Sequence, residues 1–316
     1  MHPALSVIIF TTASGTGYGL LVLLILLNIN GLLPTSSGLG LAGFGVGLTL
    51  VTAGLLASTF HLGHPERAWR ALSQWRSSWL SREGVVAIAT YPAVGLFAIA
   101  WVFTGNTSGS WSLVGIVAAL LAGATVACTG MIYASLKTIP QWHNFLTPTN
   151  YLLLALTGGA VWLMVIANFF SVGGNLPALL SLILLPLAWA LKQAYWAYID
   201  KVPSQHTIGS ATGLGALGDV NLLEPPHTEP NFVQKEMGFK IARRHAKKLR
   251  KTALFLAFIL PLALTAGVLV TSGTLNTLLA LLALLSVSAG LLTERWLFFA
   301  EATHVSMLYY GGAKAQ

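Results

Sequence analysis

The stretch LSVIIFTTASGTGYGLLVLLILLNI, residues 5–29, contains no charged side chain. A helix rises about 1.5 Å per residue, so about 20 apolar residues carry it across the hydrocarbon core of a bilayer. This stretch has that length. Others follow at about 39–62, 84–103, 112–136, 148–171, 176–199, 252–271 and 275–298, separated by loop-like breaks such as GLLPTSSG, FTGNTSGS, SVGGN and TSGT. Composition agrees: of 316 residues 55% are hydrophobic and 8% charged, against about 25% charged in a soluble domain. The expected fold is all-α, a bundle of eight transmembrane helices forming one integral membrane domain over 1–316. The N-terminus MHPALSVIIFTT lacks a basic leader and a small-residue cleavage site, so it is expected to remain as the first span. Small residues at Gly15/Gly19 and Gly43/Gly47 have the spacing that lets helices approach closely.

Threading eight spans leaves the loops at 30–38, 104–111, 172–175 and 272–274 on one side, without a charge. All 17 Lys/Arg and nine Asp/Glu fall at the other end. The Lys/Arg bias sets topology, so both termini and the 200–251 segment are expected in the cytoplasm. The single cysteine, Cys128, excludes internal disulfides, a four-cysteine iron–sulfur cluster and a CxxCH haem attachment.

The 200–251 segment is the one substantial stretch outside the membrane. Its LLEPPHTEP part has little apolar periodicity, as expected of a docking loop that orders on a partner subunit. The basic KEMGFKIARRHAKKLRK that follows adjoins a span, which suits contact with anionic membrane lipid and argues against nucleic acid.

The residues STFHLGHPERAWRALSQWRSSWLSREG, 58–84, concentrate two histidines, two glutamates, four arginines and three tryptophans in an otherwise apolar chain. His61 and His64 are three apart, hence neighbours on one helical face, before Pro65 ends the helix. Glu83 opens the third span, where it can face His61. Ionisable groups at membrane depth usually line a pathway or cavity. Trp69, Trp75 and Trp79 suit a membrane-interface belt. Similar groups recur at the same end: Tyr133 and Lys137; Lys192, Tyr195 and Trp196; Glu294, Arg295, Glu301 and His304. Glu294 and Arg295, being adjacent, are not expected to face each other, whereas Glu301 and His304 are.

A histidine and a carboxylate of this kind can exchange protons with a lipid-soluble redox carrier, a quinone. Two other readings use the same residue types. A proton-coupled transporter would need charged or broken helices near the midplane, and an anchor carrying b-type haem would need paired histidines at matching depth.

FHLGHPERAWRALSQWRSSWLSREG (60–84), GMIYASLKTIPQWHN (130–144), YWAYID (195–200) with ATGLG (211–215), LLEPPHTEPNFVQKEMGF (222–239) and FFAEATHVSMLYYG (298–311) together resemble the membrane anchor subunits of dimethyl sulfoxide reductase-type molybdoenzymes, and more closely the anchors of their sulfite-oxidising relatives. The resemblance implies an eight-helix anchor in a bacterial inner membrane, with no haem. It would hold a four-cluster iron–sulfur subunit, which binds a molybdopterin catalytic subunit, and would exchange electrons with ubiquinone or menaquinone. The clusters and molybdopterin would belong to the partners. The family's quinone residues fall on His61, Gly63, Arg67 and Glu83, with His61 and Glu83 as proton-exchanging groups. His64 and Tyr195 are further candidates for the same pocket, and no metal ligands are expected. Cytoplasmic charged loops favour quinone reduction during sulfite oxidation; the alternative within the family is a quinol-oxidising sulfoxide reductase anchor.

Overall fold

The computed structural model describes residues 4–60, 62–201, 206–224, 228–229, 231, 234–235 and 245–310. His61, much of the candidate docking loop, most of the basic run after it and the last six residues, 311–316, therefore lie outside the described residues.

Among the described residues, eight helices are long and apolar enough to cross a membrane: α1 (Leu5–Ile29), α2 (Ser37–Thr59), α3 (Trp79–Thr104), α4 (Ser110–Ala134), α5 (Leu146–Phe169), α6 (Leu176–Ile199), α7 (Ala246–Val270) and α8 (Gly273–Ala300). The expected number and order are as found. Two starts differ from the apolar boundaries. Ser78 caps α3 by accepting from the Ser81 N–H, so the helix begins at Trp79 and Glu83 lies a turn inside it. The seventh helix likewise begins in the basic AKKLRK, whose Lys and Arg are good helix formers.

The first and fifth helices form the centre of the bundle. α1 packs on α2, α4, α5 and α8, while α5 packs on α1, α2, α4, α6 and α8. Association in a lipid solvent depends on close packing, and α1 meets α5 backbone to backbone. A β-carbon on Gly19 would lie 1.9 Å from the Ala155 carbonyl oxygen. Gly17, rather than Gly15, opposes Gly47 on α2, where an added β-carbon would stand 2.7 Å from the Gly47 oxygen. Gly19→Val is expected to destabilise the bundle by about 3 kcal/mol, the upper end of overpacking costs. A lowered thermal midpoint in detergent would report this; an unchanged midpoint would show that the crossing can open freely.

Pro261 has no N–H for the Ala257 carbonyl, and its ring crowds that turn. The helix widens into a π-turn over Phe255–Ile259 just before it. The Ser286 hydroxyl of α8 donates to the Leu256 carbonyl at 2.7 Å, binding the widened turn to its neighbour.

The two ends of the bundle are built differently. At the uncharged end, short loops are closed by neutral hydrogen bonds: the Trp101 indole donates to the Ser36 carbonyl at 2.9 Å, and Ser37 to the Val102 carbonyl at 2.9 Å. At the charged end, the α4–α5 loop ties distant helices together. The Trp142 indole donates to the Phe298 carbonyl at 2.9 Å, and the Gln141 amide to the Thr303 hydroxyl at 2.7 Å.

Candidate functional site

The loop between α2 and α3 contains a 3₁₀ helix, Pro65–Leu72, with none of its residues buried. His64 and Arg67 are both exposed, and both turn to Glu66: His64 Nδ1 lies 3.0 Å and Arg67 Nε 3.7 Å from Glu66 Oε1. Around Gly63 the space is open: apart from its chain neighbours, no atom of the described residues lies within 4 Å of a β-carbon built there. Arginines cover the three tryptophans, Arg70 on Trp69 at 5.6 Å, Arg76 on Trp75 at 5.5 Å and Arg82 on Trp79 at 4.3 Å. Arg82 also donates to the carbonyls of Trp75 and Arg76, and the Ser81 hydroxyl to that of Ala71, which folds the loop onto the start of α3. The result is an open, basic and aromatic surface.

Glu83 points the other way. It is 4% exposed, and the Thr129 hydroxyl of α4 donates to its Oε1. Deeper along the same helices, the hydroxyls of Thr90 and Thr125 lie 3.4 Å apart. Tyr18, Tyr133 and Tyr151 stand within electrostatic reach of the carboxylate. The spacing of Thr125 and Thr129, four residues apart on one face of α4, is a signal that sequence reading passed over. No hydrogen bond or ion pair joins Glu83 to His64 or Arg67 among the described residues: the loop groups face out and the carboxylate faces in. His61, which precedes all three in sequence, is outside the described residues.

Tyr195 belongs to a second buried cluster. Its hydroxyl donates to the Gln141 carbonyl at 3.1 Å, and Lys192 Nζ lies 4.2 Å from its ring centroid. Lys192 is 1% exposed and pairs with Glu294, itself 0% exposed. Arg295 Nε lies 3.0 Å from the other Glu294 oxygen, and its guanidinium stands 3.9 Å over the Tyr151 ring. Glu294 and Arg295 therefore do meet, contrary to expectation, because a long arginine can fold back on its neighbour although their β-carbons diverge. Nor are Glu301 and His304 paired. The helix stops at Ala300, and Glu301 takes Arg250 at 2.7 Å while His304 turns to Ser306 at 2.8 Å. Arg250 also grips both Asp200 oxygens, at 2.7 and 2.9 Å. Burial raises the Glu301 carboxyl above its ordinary range, with Arg250 pulling it back, and burial lowers His304.

Among the described residues no group of three or more His, Cys, Asp or Glu could hold a metal ion. What the geometry offers is one buried carboxylate beneath an exposed basic and aromatic loop, and a buried ionic cluster linked toward it through stacked Tyr133 and Tyr151, 5.7 Å between centroids.

The family model described as DMSO reductase anchor subunit (DmsC) matches residues 1–301. Over 335 aligned positions the sequence is 33% identical to the C component of sulfite dehydrogenase from Allochromatium vinosum, an alignment spanning 98% of this protein and 99% of the relative. It is 27% identical to the C component of anaerobic dimethyl sulfoxide reductase from Escherichia coli, over 40% of this protein and 44% of that one. The corresponding component from Haemophilus influenzae is 30% identical over 35% of this protein and 40% of its own length. No solved structure matches.

Proposed function

The chain belongs to the DMSO reductase anchor-subunit family, and on that premise we propose that it carries the quinone half-reaction of a membrane-bound molybdopterin oxidoreductase. A four-cluster iron–sulfur subunit, itself joined to a molybdopterin catalytic subunit, docks on the charged end. Electrons pass through it to ubiquinone or menaquinone, with sulfite as the substrate oxidised. At the catalytic subunit sulfite and water give sulfate, two protons and two electrons; in the membrane quinone takes up two electrons and two protons to become quinol.

The observation that carries this reading is Glu83, a carboxylate buried at the start of a span and held by Thr129, directly beneath the exposed loop. An ionisable group there is costly, and such groups in membrane spans usually mark a proton or substrate pathway. Glu83 and His61 deliver protons to the quinone oxygens, Arg67 and His64 shape the outer wall, and Gly63 leaves room for close approach. Tyr195 contributes through the Lys192 cluster. The gathering of Lys and Arg at one end supports a cytoplasmic face for the site and for both partners, within a bacterial inner membrane. Full-length similarity to a sulfite dehydrogenase component supports sulfite as the substrate.

The test is turnover by the purified three-subunit complex in detergent with a short-chain quinone. Sulfite is expected to reduce quinone only when this protein is present, whereas the catalytic pair alone still reduces a soluble artificial acceptor. Quinol-driven sulfoxide reduction, with no sulfite-driven quinone reduction, would reverse the direction of electron flow.

A further inference from the structure

Between α1, α2, α5 and α8 the bundle surface opens into a groove of about 230 Å³. Its lining is mainly apolar, with Ile9, Trp162, Leu291 and Leu292 among the walls; Ile9 and Leu292 are exposed. Such a groove accepts a hydrocarbon tail. Its α1 wall adds the hydroxyl-bearing Thr12 and Thr16, which a hydrocarbon does not need.

Adjoining the groove is a narrow recess of about 10 Å³ that shares Thr12, Thr16 and Leu291 with it and is also lined by Tyr151 and Arg295. Tyr151 and Arg295 are both 4% exposed. The guanidinium stands over the Tyr151 ring, near enough to attract its hydroxyl but without hydrogen-bond geometry to it. The hydroxyls of Thr12 and Tyr151 are buried without a hydrogen-bond partner among the described residues. Buried polar atoms are nearly always paired, so two such hydroxyls along one recess point to an acceptor from outside the protein.

We infer that the groove is a binding site for a prenyl-tailed quinone, the tail lying along the apolar wall and one carbonyl oxygen reaching into the recess toward Thr12, Tyr151 and Arg295. This rests on the quinone reading above and adds to it a site that enters from the lipid, separate from the 60–84 loop. Shape and charge select this ligand over a phospholipid. A recess of that size admits a single acceptor atom, not a tetrahedral phosphate. Arg295 already faces the Glu294 carboxylate, beside which a further anion is unfavourable. Tyr151 stacks on Tyr133 with ring planes 22° apart, and both stand within electrostatic reach of Glu83, so the groove leads from the lipid toward that carboxylate.

The experiment is photolabelling of the assembled complex with an azidoquinone carrying a short prenyl tail, followed by peptide mapping. Label is expected in α1, α5 or α8, displaced by unlabelled quinone and not by excess phosphatidylcholine. Leu292→Trp and Ile9→Trp, at exposed positions that tolerate bulk, should each reduce this label about tenfold by weakening binding by about 1.4 kcal/mol. Copurification of the partner subunits verifies that each variant assembles. Label confined to residues 60–84 would overturn the groove site while leaving the loop reading intact. Displacement by phosphatidylcholine as effective as by quinone would make the groove a lipid site and overturn the inference. No quinone-displaced label anywhere would overturn both.

Discussion

Glu83→Gln is expected to lower quinone-linked turnover by about 10²-fold or more, the scale on which a positioned acid or base contributes. The substitution keeps the shape of the side chain, and the Thr129 hydroxyl can still donate to the amide oxygen, so packing between α3 and α4 is preserved. What it removes is the titratable proton. Turnover of the assembled complex with a soluble artificial acceptor should persist, because that route bypasses the membrane. The measured quantity is the ratio of the two rates. A ratio equal to that of the unaltered complex would remove Glu83 from the proton path, and loss of both activities together would assign it a structural role. The same assay on His61→Ala is expected to give the same pattern.

The second large effect is one of stability. Glu294 stands between two buried cations, Lys192 and Arg295, with all three side chains at or below 4% exposure. Glu294→Gln would leave those cations without the carboxylate they share. Breaking a buried pair from one side costs about 3–5 kcal/mol, because the remaining charge is uncompensated. The thermal midpoint of the complex in detergent should fall accordingly. Adding Lys192→Met to Glu294→Gln removes one stranded charge and should restore part of the loss. A single variant as stable as the parent would show that the cluster is solvated or neutral.

Much of this architecture is legible in the sequence because the lipid imposes a blunt rule: spans must be long and apolar, and charges must gather where water is. That rule recovers all eight helices and the gathering of Lys, Arg, Asp and Glu toward one end. It fails where helix and lipid boundaries separate. Backbone hydrogen bonding continues through Arg82 and Glu83 and through Lys247–Lys251, although those side chains are polar, so α3 and α7 begin earlier than their apolar runs. It also fails for long side chains. Spacing rules follow β-carbons, whereas Arg295 and Arg250 reach partners by bending several bonds beyond them. The candidate site is only partly legible for the same reason. Sequence proximity groups His64, Arg67 and Glu83, but the fold turns the first two outward and the third inward. Tyr195, grouped with them by its position at the same membrane face, is instead held against Lys192 and the α4–α5 loop.

The unlike ends of the bundle carry an energetic consequence. The uncharged end is closed by neutral hydrogen bonds, and the sequence supplies no Asp, Glu, Lys or Arg there to pass a proton. Under the proposed function, electrons enter from partners on the charged side, and the protons that complete the quinol are drawn from that same side. Sulfite oxidation also releases its protons there. Turnover then moves no net charge across the bilayer and is electroneutral. The energy of sulfite oxidation is stored in the reduced quinone pool, and a membrane potential arises only when a downstream oxidase consumes that quinol.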